Sequence, residues 1–198
     1  MFETASGVTI PLADSLKEEF QVLENRILFN LSFQKIKPMV DAFLDQLAEP
    51  LFFVLEIPLT QQEEAEIRKD NVGPFHKKVC YLDGQTRDQI KVILQEYGEL
   101  LFNDGMSQFA IASHTTNDEL YIQKYKVMSI YCDESEKYIE FLKKYGLGQT
   151  DNLRTAWDTF SHETPGQARK IEINGLNIYA TYHALEKRGM YAAKIVED

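Results

Sequence analysis

Apolar positions along this chain repeat with two periods, and the alternation between them outlines its elements. Phe20, Leu23, Ile27, Leu28 and Leu31 are spaced as on one helical face. Ahead of them, Ser15 with Glu18 fits a capping box, in which each side chain satisfies a free backbone N–H at a helix start. Met39, Phe43, Leu44 and Leu47 continue a helical face from Pro38, a break or new start, to Pro50. Residues 1–50 are thus predicted to form a short lead-in and a helical extension packed on the same domain. Residues 51–198 read as an α+β domain. Leu51–Ile57 is a continuous apolar run, which suits a buried strand. Thr60 with Glu63 opens a short acidic helix to about Lys69, and Asn71, Gly73 and Pro74 form a loop.

The second half has a clearer rhythm. Lys77–Leu82 reads as a strand. Thr86 with Gln89 caps a helix bearing Ile90, Ile93, Leu94 and Tyr97, and Gly98 suits its C′ position. Gln108–Ser113 is a strand, residues 114–119 a polar loop, and Tyr125–Cys132 a further strand. Asp133 with Glu136 opens a helix carrying Tyr138, Phe141 and Leu142, ended by Gly146. Leu153–Phe160 reads as a strand, Lys170–Ile173 as one that pairs back, and Asn174-Gly175 as a hairpin-like turn. A helix over Ile178–Lys187, stopped at Gly189, precedes a last strand, Met190–Val196. The order strand, cap, helix, Tyr-Gly occurs at 79–98 and again at 127–146, and each copy is followed by a strand. That order suggests a ferredoxin-like βαββαβ core in a mostly antiparallel sheet with helices on one face.

Charge narrows the partners. Twenty-one basic against 31 acidic side chains give a net charge of −10. Residues 1–70 hold 6 of the basic and 13 of the acidic ones, a net of −7. Such a surface repels phosphate backbones, so no nucleic-acid partner is expected, and it suits a basic protein. The most apolar stretch, Leu51–Leu59, contains Glu56 and Pro58 and is too short to span a bilayer, so no membrane association is expected. Met1–Gly7 has no basic segment followed by an apolar one, the pattern of a secretory signal. Cys80 and Cys132 lie in apolar runs with no C-x-x-C, which points to two buried, reduced thiols and a cytoplasmic location.

No phosphate-binding glycine loop, G-x-S-x-G elbow or H-E-x-x-H motif occurs, and no cofactor is expected. The segment Arg154–Gly166 gathers the only tryptophan, Trp157, with Asp158, His162 and Glu163. A histidine beside carboxylates can do acid–base work, so Asp158, His162 and Glu163 are the catalytic candidates. The plainer reading is a strand end with Trp157 and Phe160 facing the core and the polar residues solvated. His114 and Asp118 could join His162 as a metal set only if the fold brought their loops together. Trp157 and the acidic helix residues Glu63, Glu64 and Glu66 are candidate protein contacts, against the alternative of a solvated face. Tyr121, Tyr125 and Tyr131 cluster around one strand region, and tyrosine is favoured at interfaces.

At Lys78-Val-Cys-Tyr-Leu-Asp-Gly84, Tyr97–Gly105 and Thr155–Phe160 the chain resembles a group of small acidic bacterial proteins, over roughly residues 75–196. The resemblance implies no particular activity and no site residue. By size, charge and class such proteins are analogous to the immunity proteins that accompany secreted toxins. The leading expectation is a non-enzymatic, acidic, protein-binding module of the immunity or inhibitor type. The alternatives are a hydrolase with a scattered site in residues 154–166, and a homodimeric regulatory or structural module built on a sheet edge or the N-terminal helices.

Overall fold

The computed structural model describes residues 2–68 and 73–198. The end of the acidic helix at Lys69 and the loop residue Asn71 lie outside the described residues. In chain order the elements are β1 (Val8–Thr9), β2 (Glu19–Leu23), β3 (Arg26–Phe29), α1 (Phe33–Leu44), β4 (Leu51–Pro58), α2 (Gln61–Ile67), β5 (His76–Gln85), α3 (Arg87–Asn103), β6 (Gln108–Ser113), β7 (Glu119–Ile122), β8 (Met128–Tyr131), α4 (Ser135–Lys144), β9 (Gly148–Gln149), β10 (Gln167–Ala168), α5 (Ile178–Glu186) and β11 (Tyr191–Glu197). The architecture is α+β.

Nine strands form one sheet in the order β11-β5-β4-β6-β7-β8-β3-β2-β9, and β1 pairs with β10 in a separate two-stranded sheet. Every pair is antiparallel except β2 with β9. The apolar run of β4 sits inside the sheet between β5 and β6. Both neighbours run against β4, so β5 and β6 are parallel, and α3 makes the crossover between them. Likewise α4 carries the chain from β8 across β3 and β2 to β9. These crossovers are the two repeats legible in the sequence. In a ferredoxin-like core their strands would interleave; here each pair keeps to its own half of the sheet, with β7 between them.

One face of the sheet and the inner sides of α1, α3, α4 and α5 share the main core, which runs from Phe20, Ile27 and Phe29 through Phe43, Phe53, Phe109 and Tyr138 to Tyr182. Each fully buried large apolar side chain there is worth about 1.5–3 kcal/mol relative to exposure. The capping boxes at Thr60/Glu63 and Thr86/Gln89 form with both hydrogen bonds, so α2 and α3 start where their sequences ask them to.

The N-terminal helix is overturned. Residues 19–29 form the hairpin β2–β3, which joins the main sheet through β8. Phe20, Ile27 and Phe29 fit strand alternation as well as helical spacing, and the free edge of β8 decides between them, because a strand there gains a ladder and the core. Glu18 accordingly accepts from the Ser32 N–H at 3.2 Å, and the Ser15 hydroxyl donates to the Leu12 carbonyl at 2.7 Å instead of capping. Among the described residues of the first 50, the one α-helix is α1, with Pro38 inside it, besides a 3-10 turn over Ala13–Ser15. Leu153–Phe160 is not a strand but leads into a 3-10 turn over Ala156–Thr159. The strand that pairs back is β10, ahead of Lys170–Ile173. Gly98 does not end α3; it lies within the helix, where an added Cβ would stand 3.2 Å from the Phe102 ring. The cap of α4 is Glu134, without a side-chain bond, rather than Asp133. Gly146, with φ of 84°, does end α4, and the Leu147 N–H reaches the Leu142 carbonyl at 3.2 Å.

The other face of the sheet is covered only in part. Leu28 on β3 packs under a second cluster built from Val8, Ile10, Leu16, Val127 and Ala156, contributed by the lead-in and the 3-10 segment. From β7 to β11 no helix among the described residues lies on this face, where Val54, Val79 and Ala110 form a small cluster of strand side chains.

Candidate functional site

The uncovered face is built by alternation. In β4, Phe53 and Leu55 point to the core, so Phe52, Val54 and Glu56 point the other way. In β7, Leu120 and Ile122 are buried and Glu119 and Tyr121 take the open face. The register then sets the rows across the sheet. Tyr131, Glu119, Ala112 and Phe52 lie side by side on β8, β7, β6 and β4, and Tyr121, Ala110, Val54 and Tyr81 form the next row. The small side chains of Ala110 and Ala112 make a trough between aromatic walls. The sheet curls enough for Glu119 and Tyr121 on β7 and Lys194 and Val196 on β11 to line one cavity of about 290 Å³. A Lys124–Asp198 ion pair ties the end of β7 to the end of β11.

Charge in this trough is unevenly satisfied. Glu56 is held by Lys77 at 2.6 Å and by the Gln108 amide at 3.4 Å, and the Tyr121 hydroxyl donates to Gln108 Oε1 at 3.2 Å. Glu119 is half-buried, and its carboxylate has no hydrogen bond or ion pair among the described residues. Burial, with Glu56 adding like-charge repulsion, holds its carboxyl above the usual carboxylate range. Burial and Glu56 also push the Tyr121 phenol up, so it stays a neutral donor. A half-buried carboxylate without a partner, lining a cleft, is a candidate for a functional site.

A testable consequence follows for stability. The folded chain binds the Glu119 proton more tightly than the unfolded chain does. Its stabilising contribution is therefore full below the unfolded carboxyl range, near pH 4, and is lost as pH rises through the folded value. At pH 7 the bare carboxylate destabilises the fold. Glu119→Gln is expected to raise the Tm by a few degrees at pH 7 and to lose that advantage at pH 4, as read by calorimetry at the two pH values.

The residues singled out in the sequence are placed elsewhere. Asp158 caps its own 3-10 turn, accepting from the Thr155 N–H at 2.7 Å and its hydroxyl at 2.8 Å, and these bonds lower its pKa. His162 and Glu163 are exposed and make no hydrogen bond or ion pair among the described residues. Trp157 is 48 % exposed and packs edge-on against Tyr125 and Phe160. His114 lies over the Phe52 ring and 3.4 Å from Asp83, whereas Asp118 is buried beside Thr116 and Lys137. With His162 they form no ligand set, and no group of three or more His, Cys, Asp or Glu able to hold a metal occurs among the described residues. Glu63 closes the α2 cap and pairs with Lys78. Glu64 is pushed up by burial, but hydrogen bonds from His76 outweigh this and leave it lowered. Glu66 alone of the three is exposed and free of such bonds. Burial pushes the Cys80 and Cys132 thiols up to about 11, which keeps them protonated and poor nucleophiles.

A larger groove of about 780 Å³ runs between α1 and α3 over Phe33, Leu94 and Phe102. Its two lysines are already held within it, Lys37 by Asp41 at 2.6 Å and Lys91 by Asp45 at 2.7 Å. The carboxylate of Glu99, also in the lining, has no partner among the described residues but is exposed, so the groove offers volume without a desolvated unpaired charge. No family model, curated protein or solved structure matches the chain. No helix among the described residues is long and apolar enough to cross a membrane.

Proposed function

We propose that this chain is a non-enzymatic cytoplasmic module of the inhibitor or immunity type that binds a basic protein on the uncovered face of its sheet. The observation that carries the reading is the aromatic trough of β4–β7 with an unpaired, half-buried carboxylate at its floor. Apolar and aromatic area supplies affinity, and the acidic surface supplies steering. With a net charge of −10 the association rate with a cationic partner falls as salt rises. The hydrolase reading draws less support, because Asp158 is committed to a cap and His162 stands alone. So does the dimer. Of its expected N-terminal helices the first is a hairpin, edge strand β11 carries a bulge between Ala192 and Lys194, and the opposite edge is the two-residue β9.

The test is photocrosslinking in the cells that make the protein. A benzophenone amino acid at Tyr121 is expected to capture one polypeptide rich in Lys and Arg, and the same probe at the exposed Val92 on α3 is expected to capture none. Lys194→Trp, which fills the trough from an exposed edge-strand position, is expected to abolish capture with little change in Tm. Equal capture at both positions, or capture unaffected by the filled trough, would sink the reading.

A further inference from the structure

We infer that the trough is an arginine socket: the partner's anchor is one arginine side chain, seated over Ala110 with its guanidinium on Glu119 and against Tyr121. The inference rests on the docking reading above and adds the chemistry of the anchor. Three observations carry it. The first is volume. A cavity of about 290 Å³ holds roughly ten water volumes. That holds one long side chain and lies at the lower end of the usual ~300–1,000 Å³ range for ligand sites.

The second is charge complementarity. Five charged side chains line the cavity, Glu56, Glu119 and Glu197 against Lys77 and Lys194, an excess of one negative charge. Glu56 already has Lys77 at 2.6 Å and Glu119 has no partner among the described residues, which leaves a place for a single positive charge. Arg26, in line on β3, donates to the Tyr131 hydroxyl at 3.4 Å and leaves Glu119 unanswered. The third is the lining. Tyr81 and Tyr121 are aromatic walls, and a guanidinium is weakly hydrated, stacks on aromatic faces and binds a carboxylate through two parallel N–H donors. An ammonium is more strongly hydrated and gains less from such walls, so arginine is favoured over lysine.

The probe is N-acetyl-arginine methylamide, with the citrulline analogue as its neutral isostere, titrated into the full-length protein and followed by backbone amide shifts. The expected result is a saturable shift at Ala110, Glu119 and Tyr121 with the arginine compound. Citrulline should bind at least about tenfold more weakly, as should arginine to Glu119→Gln, since each removes a charge-assisted hydrogen-bond pair. Because Glu119→Gln is expected to be the more stable protein, a loss of binding there reports the socket and not unfolding. No saturable shift on this face, or equal binding of arginine and citrulline, would overturn the socket. If the crosslink from position 121 then survives, the docking reading stands without it; if that crosslink is absent too, both fall.

Discussion

Gly105→Ala is expected to lower stability by about 3 kcal/mol, a Tm fall of roughly 6–12 °C for a chain of this size. The reason is a close approach of three backbone segments. The Gly7 N–H donates to the Asn103 carbonyl at 2.9 Å, the Arg169 N–H to the Gly7 carbonyl at 2.8 Å, and the Gly105 N–H to the Arg169 carbonyl at 3.0 Å. A Cβ on Gly105 would stand 2.1 Å from the Gly7 carbonyl oxygen and 2.7 Å from the Arg169 nitrogen. Both are backbone atoms in ladders, so neither can swing aside as a side chain would. Relief requires moving β1 and β10 away from the end of α3, which opens the second cluster over Leu28. Gly148→Ala is the control: its Cβ would meet only the Glu19 side chain at 3.7 Å, and its Tm is expected to stay within about a degree or two. Thermal melts of the two variants decide the matter, and equal Tm values would show that the junction can relax.

The second large effect lies beside that junction. Lys126 is 7 % exposed, and its ammonium donates to the carbonyls of Leu101 at 3.0 Å and Asp104 at 2.7 Å, at the C-terminal end of α3. The helix dipole favours a cation there. Asp104 is fully buried, and its carboxylate accepts from the N–H groups of Met106 at 3.0 Å, Ser107 at 2.7 Å and Ile171 at 3.0 Å. Asp104→Ala would strip three backbone donors of their acceptor and leave the Lys126 charge without its counter-ion. A loss of about 3–5 kcal/mol is expected, read as a lower denaturant midpoint at unchanged slope.

Lys126→Met tests the same network by pH. Burial lowers the Lys126 ammonium to about 8, with Asp104 pulling the other way. The unfolded chain, whose lysine titrates near 10.4, therefore binds more protons than the folded one between about pH 8 and 10. Wild-type stability is expected to rise relative to Lys126→Met across that window, by up to about 3 kcal/mol at its upper end. Cys80 and Cys132, whose thiols are raised to about 11, act in the opposite sense at high pH, but equally in both proteins, so they cancel from the difference. A flat difference would mean that Lys126 keeps an ordinary pKa.

Two residues next to this network, Tyr125 and Lys126, both have φ of 57° without being glycine. The backbone is held there by the buried ammonium on one side and by the packing of Tyr125 against Trp157 and Phe160 on the other. Residues 154–160, the first part of the 154–166 segment that is a catalytic candidate by composition, thus have a structural part in holding this turn.

The trough was hard to find in sequence for a physical reason. Glu119 ends a polar run, His114-Thr-Thr-Asn-Asp-Glu119, that reads as solvated. The available signal was the alternation of Glu119 and Tyr121 with Leu120 and Ile122, which is strand-like but only four residues long. What surrounds Glu119 is not in its neighbourhood along the chain: Val54 and Glu56 of β4, which line the cavity with it, come more than sixty positions earlier, and Lys194 and Val196 of β11 more than seventy later.

Reading the chain alone was enough for the α+β class, the buried strand β4, the starts of α2 and α3, the helix and strand that end the chain, and the acid excess. These depend on side-chain period, on hydrogen bonds within one turn, or on composition, and all are local or additive. The hairpin β2–β3, the strand order and the bare charge of Glu119 were decided only in three dimensions. Each depends on which distant edge, carbonyl or cation is present once the sheet has closed, and spacing along the chain carries no record of that.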